Sequence, residues 1–209
     1  DGEIVTRLGT KVDPSRSVIR VDGKRLPPVS DSVYLVLNKP RGVVSAMSDP
    51  HSKRTLSDFV NDRPERLFHV GRLDTDTEGL IILTNDGEFA HRLAHPSYEV
   101  DKTYVAEVEG LAGKPLLAAL GHTVQLEDGP VDVSQARVLS RHGSKSIVEL
   151  TIHEGRNRIV RRLLAHLGHP VLQLTRTRIG PIKLGTLRSG QLRTLTASEL
   201  GDLLDVASL

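Results

Sequence analysis

Residues 69–80 hold the densest set of side chains that could carry out chemistry. The segment reads HVGRLDTDTEGL, with three carboxylates, an arginine and two glycines directly before an apolar run. An aspartate that is held by an arginine beside a strand can act as a general base or a nucleophile. A polar turn that feeds a strand would have the same composition. A calcium loop is disfavoured, because Ile82 and Asn85 stand where the EF-hand pattern needs further ligands.

A second dense segment is residues 153–162, which read HEGRNRIVRR. A strand, a glycine turn and then a helix with four arginines in its first turns are predicted here. Helix N-termini attract anions, so arginines at this place favour a site for a phosphate or a carboxylate. From Glu154 to Arg193 there are nine basic residues and a single acid. This stretch favours a phosphate-rich partner, although a solvated helix face is the alternative.

The composition excludes several classes of protein. The 209 residues include no cysteine, which excludes disulfides, thiolate catalysis and cysteine-based metal sites. The pairs His91/His95 and His166/His169 lack a third ligand nearby, and no glycine-rich phosphate loop is present, so neither a metal nor a nucleotide cofactor is expected. No window holds the roughly 20 apolar residues of a membrane span, and the acidic start does not resemble a signal peptide. We therefore expect a soluble, cytoplasmic protein.

The elements that must position these segments follow from the apolar periodicity. Apolar runs that end in turn residues predict strands at 33–37, 43–45, 80–84, 103–110, 146–152, 171–175 and 192–195. Helical spacing predicts helices over 88–93, 114–120 and 157–167, with a closing helix that begins near Ala197. Because strands and helices do not alternate regularly, the pattern predicts an α+β fold with a mixed, largely antiparallel sheet and flanking helices.

Several segments, taken together and in order, resemble the RsuA-type ribosomal RNA pseudouridine synthases. They are LNKPRGVVS at 37–45, GRLD at 71–74 with Gly79-Leu80, LTNDG at 83–87, KTY at 102–104, EGRNR at 154–158 with Arg161-Arg162, and RIGP at 178–181. One departure is Ile159, where the family often has Gln. The joint occurrence of these spaced motifs is specific, whereas each motif alone would be weak.

The resemblance implies an enzyme with the pseudouridine synthase fold that isomerises a uridine of ribosomal RNA, more specifically of the large subunit. It implies that Asp74 is the catalytic aspartate, that Tyr104 stacks on the target base and that Arg161 pairs with Asp74. The reaction needs no cofactor, and a monomer is expected. RNA contacts are expected from basic residues in and beside the motifs. These are Lys39, Arg41, Arg72, Arg156, Arg158, Arg162 and Arg178.

The domain organisation follows from the same resemblance. Residues 1–28 resemble the tail of a small S4-like RNA-binding module, with turns predicted at 12–14 and 21–24 and a linker at 27–30. Since the beginning of such a module is absent from this sequence, the native protein is expected to be longer. Residues 29–209 are expected to form the catalytic domain.

A non-catalytic RNA-binding or ribosome-assembly protein with the same basic face is the alternative function. The joint presence of Asp74, Tyr104 and Arg161 argues against it, because binding alone does not need a carboxylate among phosphate-binding arginines.

Overall fold

A computed structural model gives the fold and describes residues 4–7, 9–10, 12, 17–26 and 32–209. The strands are β1 (Arg20–Val21), β2 (Lys24–Arg25), β3 (Tyr34–Lys39), β4 (Phe68–Val70), β5 (Glu78–Thr84), β6 (Lys102–Glu109), β7 (Val124–Leu126), β8 (Gly129–Val131), β9 (Gln135–His142), β10 (Lys145–Ile152), β11 (Val171–Ile179), β12 (Ile182–Lys183) and β13 (Leu192–Thr194). The helices are α1 (Gly87–Ala94), α2 (Lys114–Leu120), α3 (Ile159–His166) and α4 (Ala197–Val206). Short 3-10 turns lie at Leu56–Phe59 and Pro96–Tyr98.

A nine-stranded sheet forms the centre of the molecule. Its main path runs β13-β3-β5-β11-β6-β10-β9, while β4 pairs with β5 and β12 pairs with β11. Within this sheet only the pair of β5 and β11 is parallel. The prediction of an α+β fold with a mixed, largely antiparallel sheet is confirmed.

Apolar side chains cover both faces of the sheet and create two cores. Along β3, Leu35 and Leu37 join the core that includes α2 and α3, whereas Tyr34 and Val36 join the core that includes α1 and α4. Successive residues of a strand point to opposite faces, so a strand buried on both sides is continuously apolar. This burial explains why the run at 33–37 shows no alternation of apolar and polar residues.

Most of the predicted elements are present, and their errors have local causes. Helix α2 has the predicted bounds, while α3 begins two residues later than predicted, because its N-cap Arg158 has a left-handed backbone with φ of 49°. The predicted strand at 43–45 is wrong, since Val44 makes only an isolated bridge to Thr55. Strand β9 was not predicted, because its residues are mostly exposed and lack an apolar pattern.

The hairpin β1–β2 confirms the turn predicted at 21–24. Asp22 and Gly23 have φ of 51° and 78°, which suits the type I′ turn that Asp-Gly favours. The hairpin lies against α4, where Arg20 and Arg25 both form ion pairs with Asp205.

Two other predicted features fall wholly or mostly outside the described residues. The predicted linker at 27–30 lies outside the described residues, as does most of the predicted turn at 12–14. Within the described residues, no helix is long and apolar enough to cross a bilayer.

Replacing Gly79 with alanine is expected to destabilise the fold by about 3 kcal/mol or more. Gly79 has φ of 108°, and a Cβ there would lie 2.2 Å from the main-chain oxygen of Arg176 on the neighbouring strand β11. The measurement is the free energy of unfolding from urea denaturation. Gly87→Ala is the matched control, because a Cβ at this first residue of α1 would have its nearest contact at 4.0 Å. It is expected to be neutral or stabilising by up to about 1 kcal/mol. Equal effects of the two substitutions would contradict the proposed packing.

Candidate active site

Asp74 lies in the loop that joins β4 to β5, and that loop is fastened to the segment after β3. The hydroxyl of Ser45 donates to the main-chain oxygen of Leu73 at 2.7 Å and accepts from the amide of Leu73 at 3.0 Å. The amide of Gly42 donates to the oxygen of Thr75 at 2.7 Å. Bonds on both sides of Asp74 therefore fix the main chain that presents its carboxylate.

Lys39 supports this arrangement from inside the protein. Its side chain is fully buried, and Nζ donates to the main-chain oxygens of Pro40 at 3.0 Å and Val43 at 2.8 Å. Burial lowers the pKa of Lys39 to about 8. The ammonium group of Lys39, which is a predicted RNA contact, is therefore enclosed and shapes the turn that holds the Asp74 loop.

The helix α3 contacts the same loop through two arginines. Arg158 forms a bidentate pair with Asp76, with both N···O distances at 2.9 Å, and its Nη1 lies 3.8 Å from Oδ2 of Asp74. Arg161 donates to the main-chain oxygen of Asp76 at 2.8 Å and lies 3.5 Å from the carboxylate of the same residue. These contacts join the N-terminal turn of α3 to the end of the loop.

The predicted pairing of Arg161 with Asp74 needs correction. Among the described residues, the ion pair of Arg161 is with Asp76, and Arg158 is the arginine that lies near Asp74. The reason is that Arg161 contacts the end of the loop and not its middle. It donates to Asp76 and Thr77, directly before β5, and so it stabilises the junction of the loop with that strand.

Asp74 lies on the wall between two adjoining cavities of about 410 and 530 Å³. Both cavities are lined by Arg72, Leu73, Asp74, Asn157 and Arg158. The larger one extends to Arg41 and Ser45, and the smaller one extends into the sheet to Tyr104. The structure therefore brings the predicted catalytic residues Asp74 and Tyr104 to one cavity.

Two further cations, the half-buried Lys102 and the buried Arg176, also line the smaller cavity. Lys102 donates to the main-chain oxygen of Val100 at 2.7 Å, and Arg176 lies on β11 beside Tyr104. Burial, and secondarily the charge of Arg176, lowers the pKa of Lys102 to about 8. In the sequence, Lys102 stands out only as part of the motif KTY and Arg176 only as one of the nine basic residues between Glu154 and Arg193. No sequence pattern shows which basic residues point inward.

The remaining predicted RNA contacts fall into separate groups. Arg41 and Arg72 are exposed at the cavities, and neither side chain has a hydrogen bond or ion pair within the described part of the chain. Arg156 and Arg162 are instead bound to Asp128 in the turn between β7 and β8, at 3.0 and 2.8 Å. Two charged side chains are therefore available to an anion, while two are already paired.

Arg178 lies apart from Asp74. It lines a different cavity of about 610 Å³ together with Arg137 and Lys183. Its Nε donates to the main-chain oxygen of Gly180. A contact of Arg178 with RNA would therefore lie away from the Asp74 loop.

Comparison with known proteins gives consistent matches. Residues 33–166 match the family described as RNA pseudouridylate synthase. An uncharacterized RNA pseudouridine synthase of Mycobacterium tuberculosis is 50% identical over 212 residues, which cover 100% of this chain and 84% of that protein. Ribosomal large subunit pseudouridine synthase B of Bacillus subtilis is 46% identical, with coverage of 96% and 82%. A crystal structure of a pseudouridylate synthase is similar with a TM-score of 0.73 and 33% identity, over 97% of this chain and 86% of that one.

Removing the pair of Asp76 and Arg158 is expected to flatten the acid end of the stability profile. The hydrogen bond from Arg158, with the charges of Arg161 and Arg158, holds the pKa of Asp76 below its usual value. A depressed carboxyl pKa adds stability that is present above the unfolded pKa and is lost as the pH falls through the folded pKa. Between about pH 5 and pH 2, the free energy of unfolding of Asp76→Asn should therefore fall by roughly 1 kcal/mol less than that of the parent.

The measurement is urea denaturation at a series of pH values. Arg158→Gln should flatten the profile to a similar extent, and the double variant should add little to either single change. Additive effects of the two substitutions would contradict the pairing.

Proposed function

This chain belongs to the RNA pseudouridylate synthase family, and we propose that its substrate is one uridine of ribosomal RNA. We further propose a uridine of the large subunit. The Bacillus subtilis relative, which is named for that subunit, supports this choice.

The position of Asp74 carries the proposal. Its carboxylate borders a cavity of about 410 Å³ that Tyr104 and the exposed Arg72 also line, and the exposed Arg41 lines the adjoining cavity. Isomerisation of uridine breaks the bond between C1′ and N1 and forms one between C1′ and C5, with no net oxidation and no atom gained. A single carboxylate can serve this reaction without a cofactor. We propose that Asp74 acts on the sugar, as a nucleophile or a base.

Access to C1′ requires the uridine to leave its stack in the RNA. Turning a base out of a helix costs a few kcal/mol. Stacking on an aromatic ring contributes about 1–3 kcal/mol per base, and Tyr104 is the aromatic residue that lines the cavity. Arg41 and Arg72 would bind phosphates beside the flipped nucleotide, since their side chains are exposed at the cavities.

We also propose that the enzyme acts as a monomer and that residues 1–28 are the end of an S4-like RNA-binding module. A folded hairpin in the described part of this segment supports the second proposal. Its hairpin β1–β2 is folded and lies on α4, through the ion pairs of Arg20 and Arg25 with Asp205. It would add RNA contacts without touching the Asp74 loop.

The test of the proposed function is release of tritium from C5 of uridine in unmodified ribosomal RNA of each subunit. We expect release by the parent protein from large-subunit RNA. Asp74→Asn should slow release by about 1,000-fold or more, because the reacting carboxylate is lost. Its RNA affinity should change by less than about threefold.

Asp202→Asn is the matched control, because Asp202 is exposed on α4. Its rate should equal that of the parent. Tight RNA binding by the parent without release from either RNA would exclude the enzymatic proposal and favour an RNA-binding protein.

The two groups of arginines should differ in their contribution to RNA binding. Arg72→Gln is expected to reduce the slope of log affinity against log salt concentration by about 1, because one phosphate contact is lost. Arg162→Gln is the control, since Arg162 is already bound to Asp128 and should change the slope much less. Filter binding or fluorescence anisotropy over a range of salt concentrations measures both slopes. The opposite order of effects would show that phosphates displace Asp128 from Arg162.

A further inference from the structure

Arg176 is a buried cation in the middle of the sheet. It lies on β11 between Gly79 of β5 and Tyr104 of β6, and only 3% of it is exposed. Its Nε donates to the main-chain oxygen of Leu80 at 2.8 Å, and Nη1 donates to that of Arg72 at 3.4 Å. The third nitrogen, Nη2, is buried and has no hydrogen-bond partner within the described part of the chain.

The charge of Arg176 is also uncompensated. Among the described residues, no carboxylate lies within ion-pair distance of it, and the half-buried Lys102 brings a second cation to the same cavity. Burying a charged group without a partner is costly, so buried arginines are normally paired. Two nitrogens of Arg176 donate to main-chain oxygens, whereas Nη2 is left without a partner in a side chain that lines the cavity.

The depth of Arg176 indicates which part of an RNA substrate it meets. Side chains directly opposite each other on adjacent antiparallel strands have Cβ atoms about 4.5–5.5 Å apart, and Arg176 is opposite Tyr104. The side chain of Arg176 therefore begins beside that of Tyr104, and its guanidinium is held at the main-chain oxygens of Leu80 and Arg72. The phosphates would instead lie near Arg41 and Arg72, which are exposed at the cavities.

We propose that Nη2 of Arg176 donates a hydrogen bond to a carbonyl oxygen, O2 or O4, of the flipped uracil. This inference rests on the proposed function and adds a catalytic residue to it. When the bond between C1′ and N1 breaks, its electron pair stays with the uracil as a negative charge shared by N1, O2 and O4. The charge disappears when C5 bonds to C1′, the C5 proton leaves to solvent and N1 takes up a proton. A preorganised donor at the carbonyl stabilises the charge while it exists.

The first experiment compares Arg176→Gln and Arg176→Lys with the parent in single-turnover tritium release at saturating protein. Arg176→Gln should slow the reaction by about 100-fold or more, the scale of losing one preorganised donor. RNA affinity should change by less than about threefold, with an unchanged salt slope. A large loss of affinity with a slope reduced by about 1 would identify a phosphate contact and overturn the proposal.

A mutant cycle with the substrate separates this role from a purely structural one. After the modified uridine is mapped with the parent protein, an RNA fragment is made with 2-thiouridine or 4-thiouridine at that position. Sulfur is a weak acceptor, so the parent should react more slowly with one of the two. The rate of Arg176→Gln should fall little further when the same oxygen is replaced by sulfur, because this variant already lacks the hydrogen bond.

If the rate effect of Arg176→Gln and that of the thio substitution multiply at both carbonyl positions, the proposal would be overturned. Unchanged parent rates on both thio substrates would also overturn it, and this result does not depend on the folding of Arg176→Gln. Failure of the proposed function is distinct, since the parent itself would then release no tritium.

Discussion

At Gly79 the backbones of β5 and β11 approach so closely that a Cβ would lie 2.2 Å from the oxygen of Arg176. This contact is the parallel pairing of the sheet, and the arrangement of the site depends on it. It places the Asp74 loop, which leads into β5, next to β11. Because β6 pairs with the other edge of β11, Tyr104 lies one strand further along. A glycine at this one position therefore brings together residues that are distant in sequence.

The basic side chains around the Asp74 loop differ in burial and in function. Lys39 is enclosed and shapes a turn, while Arg158 and Arg161 bind Asp76 and fix the loop to α3. Arg41 and Arg72 remain exposed at the cavities. The number of basic residues in the sequence thus overstates the cationic surface, because several of them stabilise the protein rather than meet a ligand. The proposed chemistry at Asp74 needs both kinds of basic residue, because one kind fixes the carboxylate and the other attracts the phosphates of the RNA.

Much of the fold, and the segments that border the cavities, were predictable from sequence because the signals are local. The acidic loop before the apolar run of β5 stood out as a candidate segment, within which the family resemblance pointed to Asp74, and the helical spacing of apolar residues predicted α3. The family resemblance supplied Tyr104, which periodicity alone could not separate from a core tyrosine.

The errors concern contacts between distant segments. The pairing of Arg161 with Asp76 depends on how α3 meets the loop, and the enclosure of Lys39 depends on the turn that follows β3. Arg176 was counted as one more basic residue, because its inward direction follows from strand pairing across the sheet. Tertiary contacts of this kind leave no local pattern in a single sequence.

The central claim is that Asp74 faces the sugar of a uridine that has left its RNA stack and entered the cavity beside Tyr104. It is tested most directly by a crystal structure of the Asp74→Asn protein with RNA that contains the unmodified target uridine. The expected result is a uracil stacked against the ring of Tyr104, with its C1′ in contact distance of the substituted side chain at position 74. A uridine that remains stacked in the RNA, or whose sugar faces away from that side chain while the RNA is bound, would contradict the claim.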